Sequence, residues 1–208
     1  MKSIIMASLY AALFGGLGLF SAAAQADELR VGIMNHDVDV PKITGRSLKE
    51  ESVSLTGEYI FDTPNWPKWT LGARPYVYGS LNLEGNTSHG GVGLNWRAHF
   101  ADKFYAEIGG GLSVHSGTNH IDSPSAADLN GLTQDQRIAL LATFFERERT
   151  EIEFGSRALF RGQLTIGYDI NDKWGAEIAY EHLSNARILD STDNEALDSF
   201  GVRLTRKF

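Results

Sequence analysis

Residues 174–208 read WGAEIAYEHLSNARILDSTDNEALDSFGVRLTRKF, and His182, Ser184, Asn185 and Asp198 within them carry side chains that can act together. A hydroxyl becomes a nucleophile when a neighbouring base takes its proton and a carboxylate orients that base. On a β-strand, residues two apart share a face with Cα atoms roughly 6.5 Å from one another. His182 and Ser184 are spaced in this way. Asn185, together with nearby backbone N–H groups, can serve the oxyanion that forms when an ester carbonyl is attacked.

The faces can be identified from their other occupants. Even-numbered positions of the first segment are Trp174, Ala176, Ile178 and Tyr180, leading to His182 and Ser184, whereas the odd positions include Glu177 and Glu181. In the last segment the even set is Asp198, Phe200, Val202, Leu204, Arg206 and Phe208, and the odd set includes Arg203 and Lys207. Paired as a hairpin, the two segments set Asp198, His182 and Ser184 at the top of one apolar surface. That combination points to ester cleavage on a lipid. Glu195 is an alternative acidic partner, but its odd number turns it to the other face.

The rest of the chain must supply the wall on which these residues stand. Alternation with a period of two, the mark of strands with one apolar face, recurs over residues 29–36, 53–61, 70–83, 91–100, 104–115 and 157–170, and again in the two segments already described. Pro75 interrupts the third of these, since proline removes a ladder donor. Joints near residues 64–68, 101–103 and 171–173 are brief; those at 37–50, 116–154 and 185–197 are long, and 84–88 is the short member of that second set. Residues 116–154 break the rhythm and read as a long, partly ordered loop, with Ile138, Leu141 and Phe145 forming one stripe of a short helix.

Eight antiparallel strands with short turns at one end, longer loops at the other and a terminal Phe have the profile of an outer-membrane β-barrel. The apolar faces then look outward to lipid, and aromatics such as Phe100, Phe104, Tyr168, Trp174 and Phe208 form a girdle beside the short turns. Arg74, Arg97, Glu107, Arg161, Glu177, Glu181 and Arg203 look inward. An eight-stranded barrel is just wide enough inside for side chains to fill, so these charges make a plug of ion pairs, with His99 and His115 on the same inner side. The fold class expected is therefore all-β. A soluble ligand-binding barrel would show the same alternation with its apolar set inside.

Composition narrows the remaining classes. The chain has 208 residues, a formal net charge of -7, 22 Gly, 11 Phe, 7 Tyr and no Cys. Residues 1–26 have Lys2, an apolar run and the small-residue site Ala24-Gln25-Ala26, the pattern of a cleaved secretory signal peptide. Residues 27–208 then form a single domain. Without Cys, export brings no disulfide framework. An acidic balance argues against nucleic acid as a partner, because a phosphate-binding surface needs clustered Lys and Arg. The six His show no metal-ligand spacing, and neither a metal nor an organic cofactor is expected.

The segment His182-Leu183-Ser184-Asn185-Ala186, followed by residues 194–204 (NEALDSFGVRL) and the terminal Phe208, resembles the C-terminal signature of the PagL-type lipid A 3-O-deacylases, also called the acyloxyacyl hydrolase family. Residues 154–161 (FGSRALFR) resemble the segment preceding that signature. The resemblance covers about the last 55 residues. It implies an outer-membrane serine esterase that removes the 3-linked acyl chain of lipid A, with outer-membrane lipid and lipopolysaccharide as its partners. It places the catalytic roles on His182, Ser184 and Asp198 and the oxyanion role on Asn185. Asp198 stands where the best-known members carry Glu, which shortens the reach by one methylene, and the loop at 116–154 is longer than a minimal member needs. The alternative from another class is a non-enzymatic structural or adhesive barrel that works through that loop.

Overall fold

The computed structural model describes residues 26–39, 48–63, 65–190 and 192–208. The expected signal peptide lies outside the described residues apart from Ala26. Eight strands follow one another: β1 (Ala26–His36), β2 (Ser52–Phe61), β3 (Arg74–Asn82), β4 (His89–His99), β5 (Phe104–His115), β6 (Ala158–Asp169), β7 (Trp174–Ser184) and β8 (Leu197–Lys207). Each pairs antiparallel with the next, and β1 pairs with β8, so the sheet closes into a barrel. Strand lengths of 9 to 12 residues suit tilted crossings of a bilayer.

Closure fixes which side of the wall each residue occupies. Val31, Ile33, Ile108, Leu112, Leu164, Ile166, Ile178, Val202 and Leu204 are exposed on the outside. Such a continuous apolar belt is stable against lipid rather than water. Phe100, Phe104, Tyr168, Trp174 and Phe208 are exposed at the end with the short turns, and the Phe104 and Tyr168 rings lie 4.9 Å apart.

Charge fills the inside. Arg30 is fully buried; its Nη1 and Nη2 donate to the two Glu107 oxygens at 2.6 and 2.9 Å, its Nε to Glu28 at 2.6 Å, and Nη1 also to Glu58 at 3.0 Å. Arg97 bridges Glu28 and Glu107, Arg161 bridges Glu58 and Glu181, and Arg203 pairs with Glu177. The expected plug is present, with Arg30, Glu28 and Glu58 added to it. His115 is buried with the plug side of the wall, but His99 is half exposed at the turn end, 3.6 Å from Asp169. Position beyond the last inward layer, where the lumen opens, explains that difference.

Two other segments depart from the alternation. Strand β3 begins at Arg74 rather than at residue 70, because Lys68–Thr70 is a 3-10 turn followed by left-handed Leu71 and Gly72. The indole Nε1 of Trp96 donates to the Thr70 carbonyl at 2.8 Å and holds that turn down. The joint between β2 and β3 is accordingly longer than a tight turn. In the long connection after β5, a short helix α1 (Ala126–Leu129) precedes a 17-residue helix α2 (Gln134–Thr150). Thr133 and Gln136 form a reciprocal cap at the start of α2, a local device that needs no tertiary partner. The helix is longer than the stripe of three apolar residues implied.

Replacing Arg30 by Met leaves Glu28, Glu58 and Glu107 without their shared cation. Breaking a buried ion network from one side costs about 3–5 kcal/mol. The thermal midpoint of the detergent-solubilised barrel, followed by heat-modifiable migration, should fall sharply, while Val202→Leu on the outer wall leaves it nearly unchanged.

Candidate active site

His182 is paired across the β7–β8 ladder with Asp198, and Leu183 with Leu197. The register puts the imidazole and the carboxylate side by side on the outer face. His182 Nδ1 lies 2.7 Å from Asp198 Oδ1, and His182 Nε2 lies 3.2 Å from Ser184 Oγ. With Nδ1 protonated, the ring donates to the carboxylate and leaves Nε2 to accept from the hydroxyl. The His182 side chain is 45 % exposed, Asp198 14 %, and Ser184 retains 9 % of its surface. The three residues named from spacing and parity thus meet in one hydrogen-bonded relay.

Tyr180, two residues before His182 on the same face, donates its hydroxyl to Asp198 Oδ1 at 2.7 Å. That oxygen is held from two sides, which restricts the short Asp side chain to one orientation. Parity alone places Tyr180 beside His182, but its reach to Asp198 depends on the β7–β8 register.

Behind the relay, odd-numbered Leu183 and Leu197 point inward and join Ile152, Phe154 and Leu159 in a buried apolar cluster. This cluster ties the β5–β6 connection to the floor of the site. Glu195 is engaged elsewhere: its Oε2 accepts from Lys49 Nζ at 2.7 Å and from the Glu153 N–H at 2.8 Å. It joins three loops rather than reaching the imidazole.

Asn185 is fully buried, and its groups hold the turn that follows the serine. Its Nδ2 donates to the Phe154 carbonyl at 2.8 Å and to the Asp193 carbonyl at 2.6 Å, and its Oδ1 accepts from the Arg187 N–H at 2.6 Å. Its own backbone N–H is bound by Asn194 Oδ1 at 2.8 Å. An amide has two donor hydrogens, and both are committed here. The side chain therefore staples the loop, in contrast to the donor role expected from its position. Ala186 and Arg187 both take φ near 56°, a left-handed conformation uncommon outside glycine. Strain of this kind, here beside Ser184, persists where surrounding bonds enforce it. Gly155 lies beneath with φ of 72°, and a Cβ there would meet the Asp193 carbonyl and, at 2.7 Å, Asn185 Nδ2.

The rim of the same loop carries an ionic clip. His120 Nδ1 lies 2.5 Å from Asp193 Oδ2 and its Nε2 3.5 Å from Asp190 Oδ2. The Asp193 hydrogen bond holds the imidazolium above its ordinary pKa, and the charges of Asp190 and Asp122 add to this. Backbone N–H groups of Thr192 and Asp193 hold the Asp190 carboxyl below its ordinary value.

A profile of the lipid A 3-O-deacylase (PagL) family matches residues 53–207. The chain belongs to that family. Among solved structures, the crystal structure of the outer membrane enzyme PagL superposes with a TM-score of 0.54 at 12 % identity, covering 87 % of this chain and 99 % of that one. A de novo designed transmembrane β-barrel gives a TM-score of 0.46 at 9 % identity, covering 88 % and 98 %. The likeness to the PagL crystal structure is one of fold, an eight-stranded closed barrel. No curated protein sequence matches the chain.

In this PagL-family barrel, two consequences follow from the contacts of the site. Tyr180→Phe removes one hydrogen bond to a charged group, and about a tenfold loss in turnover is expected if the carboxylate orientation matters in the transition state; turnover of a lipid ester against a folded, heat-modifiable control measures it. The His120 clip gains protons on folding, so its contribution is complete below about pH 6.5 and fades as pH rises through the raised value. Limited proteolysis within residues 186–194 should accelerate above neutral pH, and His120→Ala should remove that pH dependence.

Proposed function

We propose that the chain is an outer-membrane serine esterase that removes the 3-O-linked acyl chain of lipid A. The single observation that carries this reading is the relay from Ser184 through His182 to Asp198, at 3.2 and 2.7 Å, on the lipid-facing side of the wall. With the short turns toward the periplasm, the relay stands near the outer leaflet, where lipid A resides. Family membership supports the substrate class, and outer-membrane barrel architecture supports the location.

In the first half of the reaction, Ser184 Oγ attacks the ester carbonyl while His182 Nε2 takes its proton. The bond to the 3-hydroxyl oxygen of the sugar then breaks, and the imidazolium returns the proton to that oxygen. Asp198 keeps Nδ1 protonated and stabilises the charge on the ring. Water, deprotonated by His182 in turn, attacks the acyl-serine and releases the fatty acid. The enzyme is regenerated without oxidation or reduction at any step.

The tetrahedral intermediate needs donors beside Ser184, each worth about 2.7–4 kcal/mol in a well-placed site. Because Asn185 is committed to Phe154, Asp193 and Arg187, its contribution under this reading is to hold the left-handed turn at Ala186 and Arg187; the Arg187 N–H is taken up by Asn185 Oδ1, so the backbone donor this turn offers after Ser184 is the Ala186 N–H. The nucleophile, base and acid all come from side chains of this protein.

Mass spectrometry of lipid A from cells making the wild-type or the Ser184→Ala protein tests the reading. The wild type should remove one acyl chain, and Ser184→Ala should lower the rate by roughly 10⁴-fold or more while still migrating as a folded barrel. Deacylation at the wild-type rate by Ser184→Ala would overturn the serine mechanism.

A further inference from the structure

The turn between β2 and β3 differs in chemistry from the two others at its end of the barrel. Residues 101–103 and 171–173 read Ala-Asp-Lys and Asn-Asp-Lys, short polar turns of a common kind. The β2–β3 turn instead carries Trp66, Trp69 and Leu71, which are 41, 79 and 81 % exposed. Lys68 is exposed beside them and makes no ion pair among the described residues. Two indoles, a leucine and a cation are thus gathered in six residues and left uncovered by the rest of the described chain.

The turn is a built structure. The Thr70 N–H and hydroxyl both donate to the Pro67 carbonyl, at 3.0 and 2.9 Å, and the Leu71 N–H donates to the Lys68 carbonyl at 3.1 Å. The Thr63 hydroxyl closes the base on the Gly72 carbonyl at 3.4 Å. Leu71 has φ of 55°, a left-handed backbone that is unfavourable for a leucine. Internal packing does not offset that cost, because the side chain is largely exposed.

Position decides what covers it. Trp96 belongs to the outward set of β4 with Val92 and Phe100, both exposed, and pairs with outward Ile108 of β5. The β3–β4 ladder stops at Arg74 and Asn95, so Trp96 stands one residue past its end, where its indole donates to the Thr70 carbonyl at 2.8 Å. A turn bonded to an outward indole lies along the outer wall and not across the mouth of the lumen. Its apolar surface therefore continues the belt that faces lipid. Tryptophan favours the border between hydrocarbon and headgroups, and a lysine there extends its ammonium toward the polar side.

We propose that residues 66–71 are an interfacial anchor, with Trp66, Trp69 and Leu71 seated in the phospholipid leaflet on the short-turn side and Lys68 against its phosphates. The anchor goes beyond the esterase reading and does not depend on it, since it requires only the barrel in a bilayer. Two observations name the occupant: the continuity of the turn with the lipid-facing wall, and an unpaired cation where an anionic headgroup layer begins.

The chain contains no Cys, so one introduced thiol reports one position. Leu71→Cys, Asp172→Cys in a polar turn at the same end and Val202→Cys on the wall are each nitroxide-labelled in the full-length barrel and reconstituted into vesicles of phosphatidylethanolamine and phosphatidylglycerol. Collision of each label with oxygen, which concentrates in lipid, is compared with collision with a water-soluble nickel chelate. The oxygen-to-nickel ratio of Leu71→Cys should exceed that of Asp172→Cys by about threefold or more and approach that of Val202→Cys. A ratio for Leu71→Cys no higher than that of Asp172→Cys overturns the anchor. Trp69 is read without a label as the emission of the wild type minus that of Trp69→Phe. Its emission should lose about half its intensity when the vesicles contain phospholipid brominated near the headgroup end of the acyl chains, and emission untouched by bromine overturns the anchor as well. Heat-modifiable migration verifies that each variant folds.

Discussion

A strand that crosses lipid has no water to satisfy its backbone, so each N–H and C=O must find a partner in a neighbouring strand. Closure of β1 on β8 removes the last free edge. That one constraint fixes the inside and outside of every strand, because a slip of one residue would exchange the two sets. It places Arg30 beside Glu107 in the lumen and His182 beside Asp198 on the wall by the same rule. The relay of the site and the ion plug are thus two faces of one register.

The plug has a mechanical consequence. Charges inside a narrow barrel are tolerable only when each is paired and hydrogen-bonded, and the Arg30, Arg97, Arg161 and Arg203 guanidinium groups meet that condition by cross-linking strands far apart in sequence. Arg161 is the link that reaches the strand carrying His182. It is paired with Leu183 across the β6–β7 ladder and binds both Glu181 and Glu58, so the strand that carries His182 and Ser184 is held from within on both sides of the imidazole.

The strands and the meeting of His182, Ser184 and Asp198 on one face were legible in the sequence because both depend on counting by two. Parity named the outward set, the inward charges and the shared face of His182, Ser184 and Asp198. It failed where the backbone leaves the extended region: at Leu71 and Gly72, whose positive φ delays β3, and in α2, whose capped helix has no pleat to count. Asn185 was misread for a different reason. Its type and place suit an oxyanion donor, but its partners Phe154 and Asp193 come from segments before and after it in the chain, and sequence spacing does not reveal such distant contacts. Tyr180 was visible only as one more aromatic on an apolar face until the register set its hydroxyl on Asp198.

Ser184 is the last residue of β7, where the ladder to β6 reaches one residue further than the ladder to β8. It still pairs with Phe160 of β6, but the β7–β8 pairing stops one residue earlier, at Leu183 and Leu197. From there the backbone is released from the pleat, and the Asn194 side chain takes over the acceptor role for Asn185. A serine inside a continuous ladder would have its neighbouring N–H groups consumed by strand partners. At the frayed end of β7 the chain can instead turn left-handed at Ala186, stapled by Asn185 and made possible by the missing side chain at Gly155. Ser184 is thereby held through β6 and adjacent to backbone that the sheet no longer claims.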